Sequence, residues 1–487
     1  MRNPIKFIIN DREVETTAPA GSVTLDFIRQ QQKLPGTKEG CREGECGACT
    51  ILLGELKDNG VHYKAVASCL LPLGELAGKH IVTIEGINIP GAAGMSTQLP
   101  PLTPVQQALT DESASQCGFC TPGIVMSLTG FFLTSETLDY QDAINAIDGN
   151  ICRCTGYLSI RRAVQKLCTT FAPQLEKNKI RIHQLVEWSI LPPYFKQIPE
   201  RLSALKTSGI TDTADSGIIV AGATDLFVQK PRELLDENLQ FISRRSDLAY
   251  IRQREHMIYI GAGTTTEELK HSPLMNNLFP DLETYLNLVS SKIMRNRATL
   301  AGNIVNASPI GDLTIMLLAL GAHIGLSRER ALRELPLKDF FKDYKQVDLA
   351  EGEMVRFLRL PEPAPKNGWH FHFHFEKVSR RKHLDIASCN TGISFETDGN
   401  TVHKIRLSAG GVAPIPLYLT KTCAFLEGKE ITSAILCEAA NIMAGEISPI
   451  DDVRGSAQYK TLLLRNLFFA HFITLFPDKD LSIDYTN

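Results

Sequence analysis

Four cysteines near the start of the chain carry the plainest chemical signal. Cys41, Cys46 and Cys49 form a C-x4-C-x2-C pattern, and Cys69 follows at the end of a hairpin-like segment. This is the plant-type ferredoxin spacing for a 2Fe-2S cluster. A short loop must wrap the cluster so that three thiolates converge, and Gly40, Gly44 and Gly47 let the backbone pass close to it. A zinc knuckle or a disulfide pair is the alternative. Zinc sites favour paired C-x-x-C or Cys/His spacings, which this pattern fits poorly.

A second set follows downstream: Cys117 and Cys120, then Cys152 and Cys154. Both pairs fall at expected helix ends, where exposed N–H groups stabilise anionic sulfur. By spacing alone a structural zinc site stays open, although C-x-C is less usual for zinc. A cluster loop immediately upstream favours a second 2Fe-2S cluster. Cys168, Cys389, Cys423 and Cys437 have no partner spacing and are expected as small buried hydrophobes.

The second half holds weaker signals. The turn Gly222-Ala223-Thr224-Asp225-Leu226 follows an expected strand, and small residues there let a phosphate approach backbone N–H groups. Gly261-Ala262-Gly263 resembles a Rossmann start but lacks the third glycine, so a plain strand–turn–helix with threonine caps is favoured. No other stretch offers a Rossmann fingerprint, which argues against a dedicated nicotinamide-binding domain. The strongest flavin signal is 292–312, KIMRNRATLAGNIVNASPIGD, rich in the backbone donors and hydroxyls that suit a pyrophosphate. In WHFHFHF (369–375), strand geometry puts His370, His372 and His374 on one face. A three-histidine metal site is conceivable there, but a strand with one packed and one polar face is favoured, because no carboxylate or cysteine partner lies near in sequence.

The elements that must position these residues divide the chain of 487 residues, a length that suggests about three domains. Residues 1–85 read as a β-rich ferredoxin-like domain: a hairpin around Asn10-Asp11, a helix over 24–31, strands over 50–53 and 61–67, and a closing strand over 80–84. Residues 86–103 are a Gly/Pro-rich connector. Up to 172 the chain is helical, with Thr103 an N-cap, Pro104 a first helical residue, a buried helix over 124–133 and Ser159 capping the last helix. Residues 173–190 read as a linker. Residues 191–362 have the character of a flavin domain, and 363–487 that of a small α+β domain. The fold class is thus multidomain α+β, and the family resemblance of the motifs given next implies a β-grasp ferredoxin-like domain, a four-helix 2Fe-2S domain, a non-Rossmann α+β FAD domain and a small α+β C-terminal flavoprotein domain. A net charge of -3 gives no basic footprint for nucleic acid. No run approaches a membrane span or a signal peptide. Twelve cysteines without an export signal point to a reducing, cytoplasmic setting.

CREGECGAC (41–49), QCGFCTPG (116–123) and CRCTGY (152–157), in this order, resemble the iron–sulfur part of the molybdenum hydroxylases, a family that includes xanthine dehydrogenases, aldehyde oxidases and carbon monoxide dehydrogenases. The stretch 34–50 is most similar to the xanthine dehydrogenases. The resemblance implies that Cys117, Cys120, Cys152 and Cys154 hold the cluster nearest molybdenum, with Gln116 and Cys154 approaching the pterin. Cys41, Cys46, Cys49 and Cys69 would hold the cluster nearest the flavin. Residues 299–312 resemble the family's flavin loop, T-x-G-G-N-I-x-x-A-S-P-x-x-D, with Ala301 where glycine is common. The implied FAD contacts are Gly222, Ala223, Thr224, Asp225, Thr299, Gly302, Asn303, Ser308 and Asp312. EKVSRRKHLDIA (376–387) resembles a strip beside the flavin, which adds Lys377, Arg381 and Asp385; a solvated charged turn is the other reading. SAGGVAPIP and DDVRGSAQYK resemble the C-terminal flavoprotein domain of the same family.

The implied protein is the small subunit of a two-subunit, bacterial-type xanthine dehydrogenase. It would pass electrons from a partner molybdopterin subunit through two 2Fe-2S clusters to FAD and on to NAD. A heterotetramer of two small and two large subunits is the family expectation. No general base is expected in this chain. The alternatives are the same relay subunit of an aldehyde or other N-heterocycle hydroxylase, a non-catalytic iron–sulfur redox module, or a structural zinc protein.

Overall fold

In the computed structural model, residues 4–88, 101–205, 217–329, 331–381 and 384–481 are described. Most of the expected connector, 89–100 with Pro90-Gly91 and Pro100, lies outside them. The chain divides into two units, Met1–Phe241 with Ser291–Arg297, and Ile242–Ser290 with Ala298–Asn487.

In the first unit, alternating and aromatic residues build β1 (Ile5–Ile9) and β2 (Arg12–Thr16), joined where Asn10 takes a left-handed turn conformation. β3 (Thr50–Lys57), β4 (Gly60–Ala67) and β5 (His80–Val82) complete a sheet of order β2-β1-β5-β3-β4. Only β1 and β5 pair in parallel. Both faces are covered. Ile5, Phe7, Ile51 and Leu53 pack with Phe27 and Ile28, while Ile8, Leu52 and Val82 join the core of the helical part. The helix expected over 24–31 is α-helical only at Thr24–Asp26 and continues in wider turns through Phe27–Gln31. Leu25 and Ile28 are fully buried, as their spacing requires.

Four helices follow: Pro104–Asp111, Thr121–Thr134, Tyr140–Ala146 and Leu158–Phe171. Thr103 and Gln106 form the reciprocal cap of the first. The second is buried from Gly123 to Phe132, which its nearly continuous apolar sequence demands. The fourth buries Ile160, Ala163, Val164, Leu167 and Phe171, a helical stripe. Its N-cap is Tyr157 in a left-handed conformation, so Ser159 does not cap it but lies within the first turn. The stretch expected as a linker carries the helix Arg181–Glu187, and its Leu185 and Ile190 are fully buried in the same core. Its charges mask a short apolar stripe, which is why periodicity missed it. The unit also holds the parallel pair β6 (Ile218–Val220) and β7 (Leu239–Phe241).

In the second unit, β8 (Ile251–Arg254), β9 (Met257–Gly261), β10 (His323–Arg328), β11 (Ala331–Pro336) and β14 (Met354–Pro361) form an antiparallel sheet of order β11-β10-β14-β9-β8. A short hairpin of β12 (Phe341–Asp343) and β13 (Gln346–Val347) lies between its later strands in sequence. β15 (His370–Val378), β16 (Cys389–Asp398), β17 (Thr401–Gly410) and β18 (Leu417–Tyr418) form a second sheet in sequence order. The helix Asp312–Ala319 is buried almost throughout and is held to this sheet by Ser394 Oγ donating to Ala319 O (2.6 Å) and Ser408 Oγ donating to Ile315 O (2.7 Å). Helices Ser433–Ala444 and Ala457–Leu475 supply the expected helix-rich tail. Among the described residues no helix is long and apolar enough to cross a membrane.

Candidate metal centres and flavin site

The loop from Gly40 to Cys49 is shaped by its glycines and by its contact with the helical part. Gly47 has φ +67°, and an added Cβ would stand 2.5 Å from Gly149 O and from Asn150 Nδ2. Across the same contact, a Cβ on Gly123 would stand 2.2 Å from Gly47 O. Two motif glycines therefore serve the packing of one cysteine loop on the other.

The four upstream cysteines come together as two pairs. Cys41 hydrogen-bonds Cys46, and Cys49 hydrogen-bonds Cys69. The hydrogen bond from Cys46 lowers the Cys41 thiol to about 5, helped by backbone N–H groups of Glu43, Glu45 and Cys46. The Glu43 amide stands 3.3 Å from Cys41 Sγ. Cys46 is pushed up by the same hydrogen bond and by burial. Cys69 lowers Cys49 through their shared hydrogen bond and is itself raised by it. In each pair one thiol is lowered and its partner raised, and loop amides point at Cys41 Sγ.

The downstream cysteines also pair. Cys154 Sγ lies 3.6 Å from Cys117 Sγ. Burial raises Cys120 to about 12, with its hydrogen bond to Cys152 adding to the effect. At Cys152 burial pushes upward, but the Thr155 hydroxyl (3.2 Å from Sγ) and nearby amides bring the thiol below its ordinary value. The backbone N–H of Cys152 donates to Tyr157 Oη (3.0 Å). Thr155 and Tyr157 of CRCTGY thus hold the loop.

Among the described residues no three His, Cys, Asp or Glu side chains converge as a site for a single metal ion. A tetrahedral zinc site needs its ligands around one centre. A 2Fe-2S cluster instead takes two thiolates on each of two irons.

The contact between the sets was not legible in the sequence. Asn150 Nδ2 donates to Gly47 O (3.0 Å), and its Oδ1 accepts from Ser127 Oγ (2.7 Å). Ile151 N, next to Cys152, donates to Cys46 O (3.0 Å). From far along the chain, Ser291–Arg297 joins this unit. Asp148 accepts from Lys292 N (2.9 Å) and from the fully buried Arg295 (3.2 Å), and Met294 packs against Gly44.

The expected flavin residues divide between the units, and each group is described within its own. In the first, Ala223 takes φ +64°, uncommon for a residue with a Cβ, and Phe227 N donates to Ala223 O (3.0 Å). Arg297 Nε donates to Gly222 O (3.3 Å) and its Nη1 to buried Glu75 (3.1 Å), while its Nη2 is buried with no acceptor among the described residues. Although its charge is paired with Glu75, Arg297 keeps one N–H without an acceptor among the described residues, beside the small-residue turn. Nothing in the sequence pattern had marked Arg297.

In the second unit, Thr299 caps the helix Leu300–Val305, with Gly302 N donating to its hydroxyl (3.0 Å). The Ala301 methyl is buried in the apolar core, so the departure from glycine fills core space. Thr314 Oγ1 donates to Asn303 Oδ1 (3.2 Å), and Ser308 stays half-buried. Lys377 Nζ donates to Asp312 (2.6 Å) and to Leu288 O (2.7 Å), and Asn390 donates to the other Asp312 oxygen (2.6 Å). Lys377 and Asp312 are therefore committed to each other. They brace the loop, and Lys377 has little free charge to offer a ligand. Arg381 N donates to Asp385 (2.9 Å), a local turn.

Gly261–Gly263 leads into a helix capped by Thr265 with Glu268, the plain strand–turn–helix expected. The three histidines do not converge. His370 is exposed, His372 meets Thr397 (3.0 Å) and stacks on Phe395, and buried His374 meets His471 (2.8 Å). Cys168, Cys389 and Cys423 are buried and Cys437 is half-buried.

Four family models tile the chain: a 2Fe-2S iron-sulfur cluster binding domain over 7–73, a 2Fe-2S binding domain over 83–165, a FAD binding domain in molybdopterin dehydrogenase over 198–363 and a CO dehydrogenase flavoprotein C-terminal domain over 374–475. These define an iron–sulfur flavoprotein, an electron-transfer module with two 2Fe-2S domains and a FAD domain. These matches are consistent with a member of the molybdenum hydroxylase family. It is 26% identical to xanthine dehydrogenase of Drosophila pseudoobscura pseudoobscura over 96% of its own length and 39% of the relative's. It is likewise 26% identical to indole-3-acetaldehyde oxidase of Arabidopsis thaliana, over 97% of this chain and 39% of the relative. The chain thus spans well under half the length of these relatives. Among solved structures, a carbon monoxide dehydrogenase from Hydrogenophaga pseudoflava lacking the Mo-pyranopterin moiety is 29% identical, covers 53% of this chain and 88% of that one, and gives a TM-score of 0.49.

Proposed function

We propose that this chain is the iron–sulfur and FAD subunit of a xanthine dehydrogenase, taking electrons from a molybdopterin subunit and delivering them to NAD. The observation that carries this reading is the pairing of eight cysteines into four thiol pairs in two loop sets joined by the hydrogen bonds Ile151 N to Cys46 O and Asn150 Nδ2 to Gly47 O. When bound, the clusters supply one-electron steps and the flavin stores two electrons. The chain's residues orient and tune. Cys41, Cys46, Cys49 and Cys69 are the proposed ligands of one cluster, and Cys117, Cys120, Cys152 and Cys154 of the other. Backbone amides around Cys41 stabilise thiolate charge. Gly222, Ala223, Thr224, Asp225, Thr299, Gly302, Asn303 and Ser308 are the proposed FAD contacts, with Asp312 and Lys377 bracing them.

Cys117 and Cys154 are exposed, with Phe119, Tyr157 and Leu158 exposed near them in sequence. That face supports docking of the molybdopterin subunit, with Gln116 and Cys154 toward it. The proposed assembly is a cytoplasmic heterotetramer of two small and two large subunits. The aldehyde oxidase relative, equally similar, keeps an aldehyde hydroxylase as the second reading.

The test is an absorbance spectrum with iron, sulfide and flavin assays on the purified chain, followed by NADH under argon. About four irons, four sulfides and one FAD, bleached by NADH, are expected. Zinc without colour overturns the relay, and bound FAD that NADH does not reduce removes NAD from it. Turnover of xanthine against aldehydes, measured with the partner subunit, separates the two readings.

A further inference from the structure

A cavity of about 610 Å³ opens in the first unit, well within the range of small-ligand sites. It lies where the turn of the β3–β4 hairpin, the end of the helix Thr121–Thr134 and the helix Arg181–Glu187 meet. Its lining contains Arg181, Lys196, His62 and His183 and no carboxylate. Val61, Leu133, Ile182 and Phe195 supply apolar walls.

Arg181 is the informative residue. Its Nη2 donates to Ser135 O (2.8 Å), while its Nη1 is buried and has no hydrogen-bond partner among the described residues. Burial holds this guanidinium below its ordinary value, and Glu136 only partly offsets it. A half-buried guanidinium with one unmade hydrogen bond gains from an anion that completes it. None of the proposed cluster or flavin residues lines this cavity, so the relay gives no reason for the arrangement.

We propose that this cavity is a binding site for a small organic oxyanion, a carboxylate or phosphate on a compact apolar body, held by Arg181 and Lys196. The apolar walls exclude a purely hydrated ion as the best occupant. Bound there, the anion ties the hairpin of the ferredoxin-like sheet to the helical part, so occupancy raises the stability of the whole unit.

The test is calorimetric titration of the full, cofactor-loaded chain with benzoate, phenyl phosphate and inorganic phosphate at matched ionic strength, with chloride as control. Saturable binding of benzoate or phenyl phosphate, stronger than of inorganic phosphate, is expected, and the preferred head group identifies the source. Arg181→Gln and Lys196→Gln should each weaken it at least about tenfold, with the visible spectrum unchanged. If Arg181→Gln misfolds, Lys196→Gln on an exposed side chain still decides. No saturable binding below about 10 mM, or binding unaffected by Lys196→Gln, overturns the proposal.

Discussion

The two cysteine sets use the same pairing in opposite settings. Cys49 and Cys69 are 2% and 4% exposed, and the loop around them turns its amides inward. Cys117 and Cys154 are exposed, at the open ends of helices. Each set has one buried pair, and the contrast lies in the other: Cys41 and Cys46 are half-buried, whereas Cys117 and Cys154 are exposed. Under the proposed relay, the more open set is the one expected to face a partner chain, since solvent exposure alters a cluster's potential.

The comparison breaks most visibly if ligands are removed. Cys49→Ser and Cys120→Ser should each abolish one of two distinct electron paramagnetic resonance signals and halve the iron content. Loss of both signals from either change would show the two sets to be one folding unit. In the metal-free chain a thiol-labelling time course should modify Cys117 and Cys154 well before Cys49 and Cys69. Equal rates would erase the contrast in burial.

Next in size is Gly47→Ala. It combines a left-handed φ with a Cβ placed 2.5 Å from Gly149 O. A loss of about 3 kcal/mol is expected in denaturant unfolding of the first unit, and the resonance of the enclosed cluster should broaden. Asn150→Ala removes the acceptor of Ser127 Oγ and one donor to Gly47 O, which keeps Thr50 N and Thr50 Oγ1, at a cost of about 1 kcal/mol. It should slow reduction of the enclosed cluster relative to the open one under stopped-flow, because the loops lose their fixed contact. The smallest effect belongs to Arg42→Ala. Arg42 pairs with Asp26 and Glu39 on an exposed rim, and no more than about 1 kcal/mol is at stake. A larger loss in thermal melting would mean that the rim supports the enclosed thiols.

The histidines of the second unit add a pH dependence that the first comparison lacks. Burial lowers both His374 and His471 below their ordinary values. The unfolded chain therefore binds protons that the folded chain does not, and stability falls as pH drops below about 6.5. Melting curves between pH 8 and pH 5, on the chain and on His471→Gln, should show a weaker acid loss in the variant.

Much of this was readable from local order. The eight cysteines, the hairpin at Asn10, the Thr103 cap and the apolar helix over 121–134 depend on neighbours within a few residues, and spacing expresses those constraints directly. The multidomain α+β character followed from the same local patterns, and the named domain types from the resemblance of the motifs. Where the reading failed, the deciding contact was remote or the local signal was weak. Ser159 looked like a cap, but Tyr157 ends the preceding loop. Residues 173–190 looked like a linker because charges hide the stripe that buries Leu185. The histidine strand was read correctly as a strand rather than a ligand set, but that His374 meets His471, far along the chain, was not legible.

By itself the sequence determined which atoms could bind iron and which stretches could cradle a flavin, because ligand type and loop spacing are short-range properties. Tertiary structure alone decided how the thiols pair, that Asn150 clamps a loop 103 residues away, that Ser291–Arg297 joins the cluster unit, and that Lys377 is spent on Asp312. Hydrogen bonding and burial between distant segments leave no period in a sequence, since any residue of the right chemistry can meet them once the fold has brought it there.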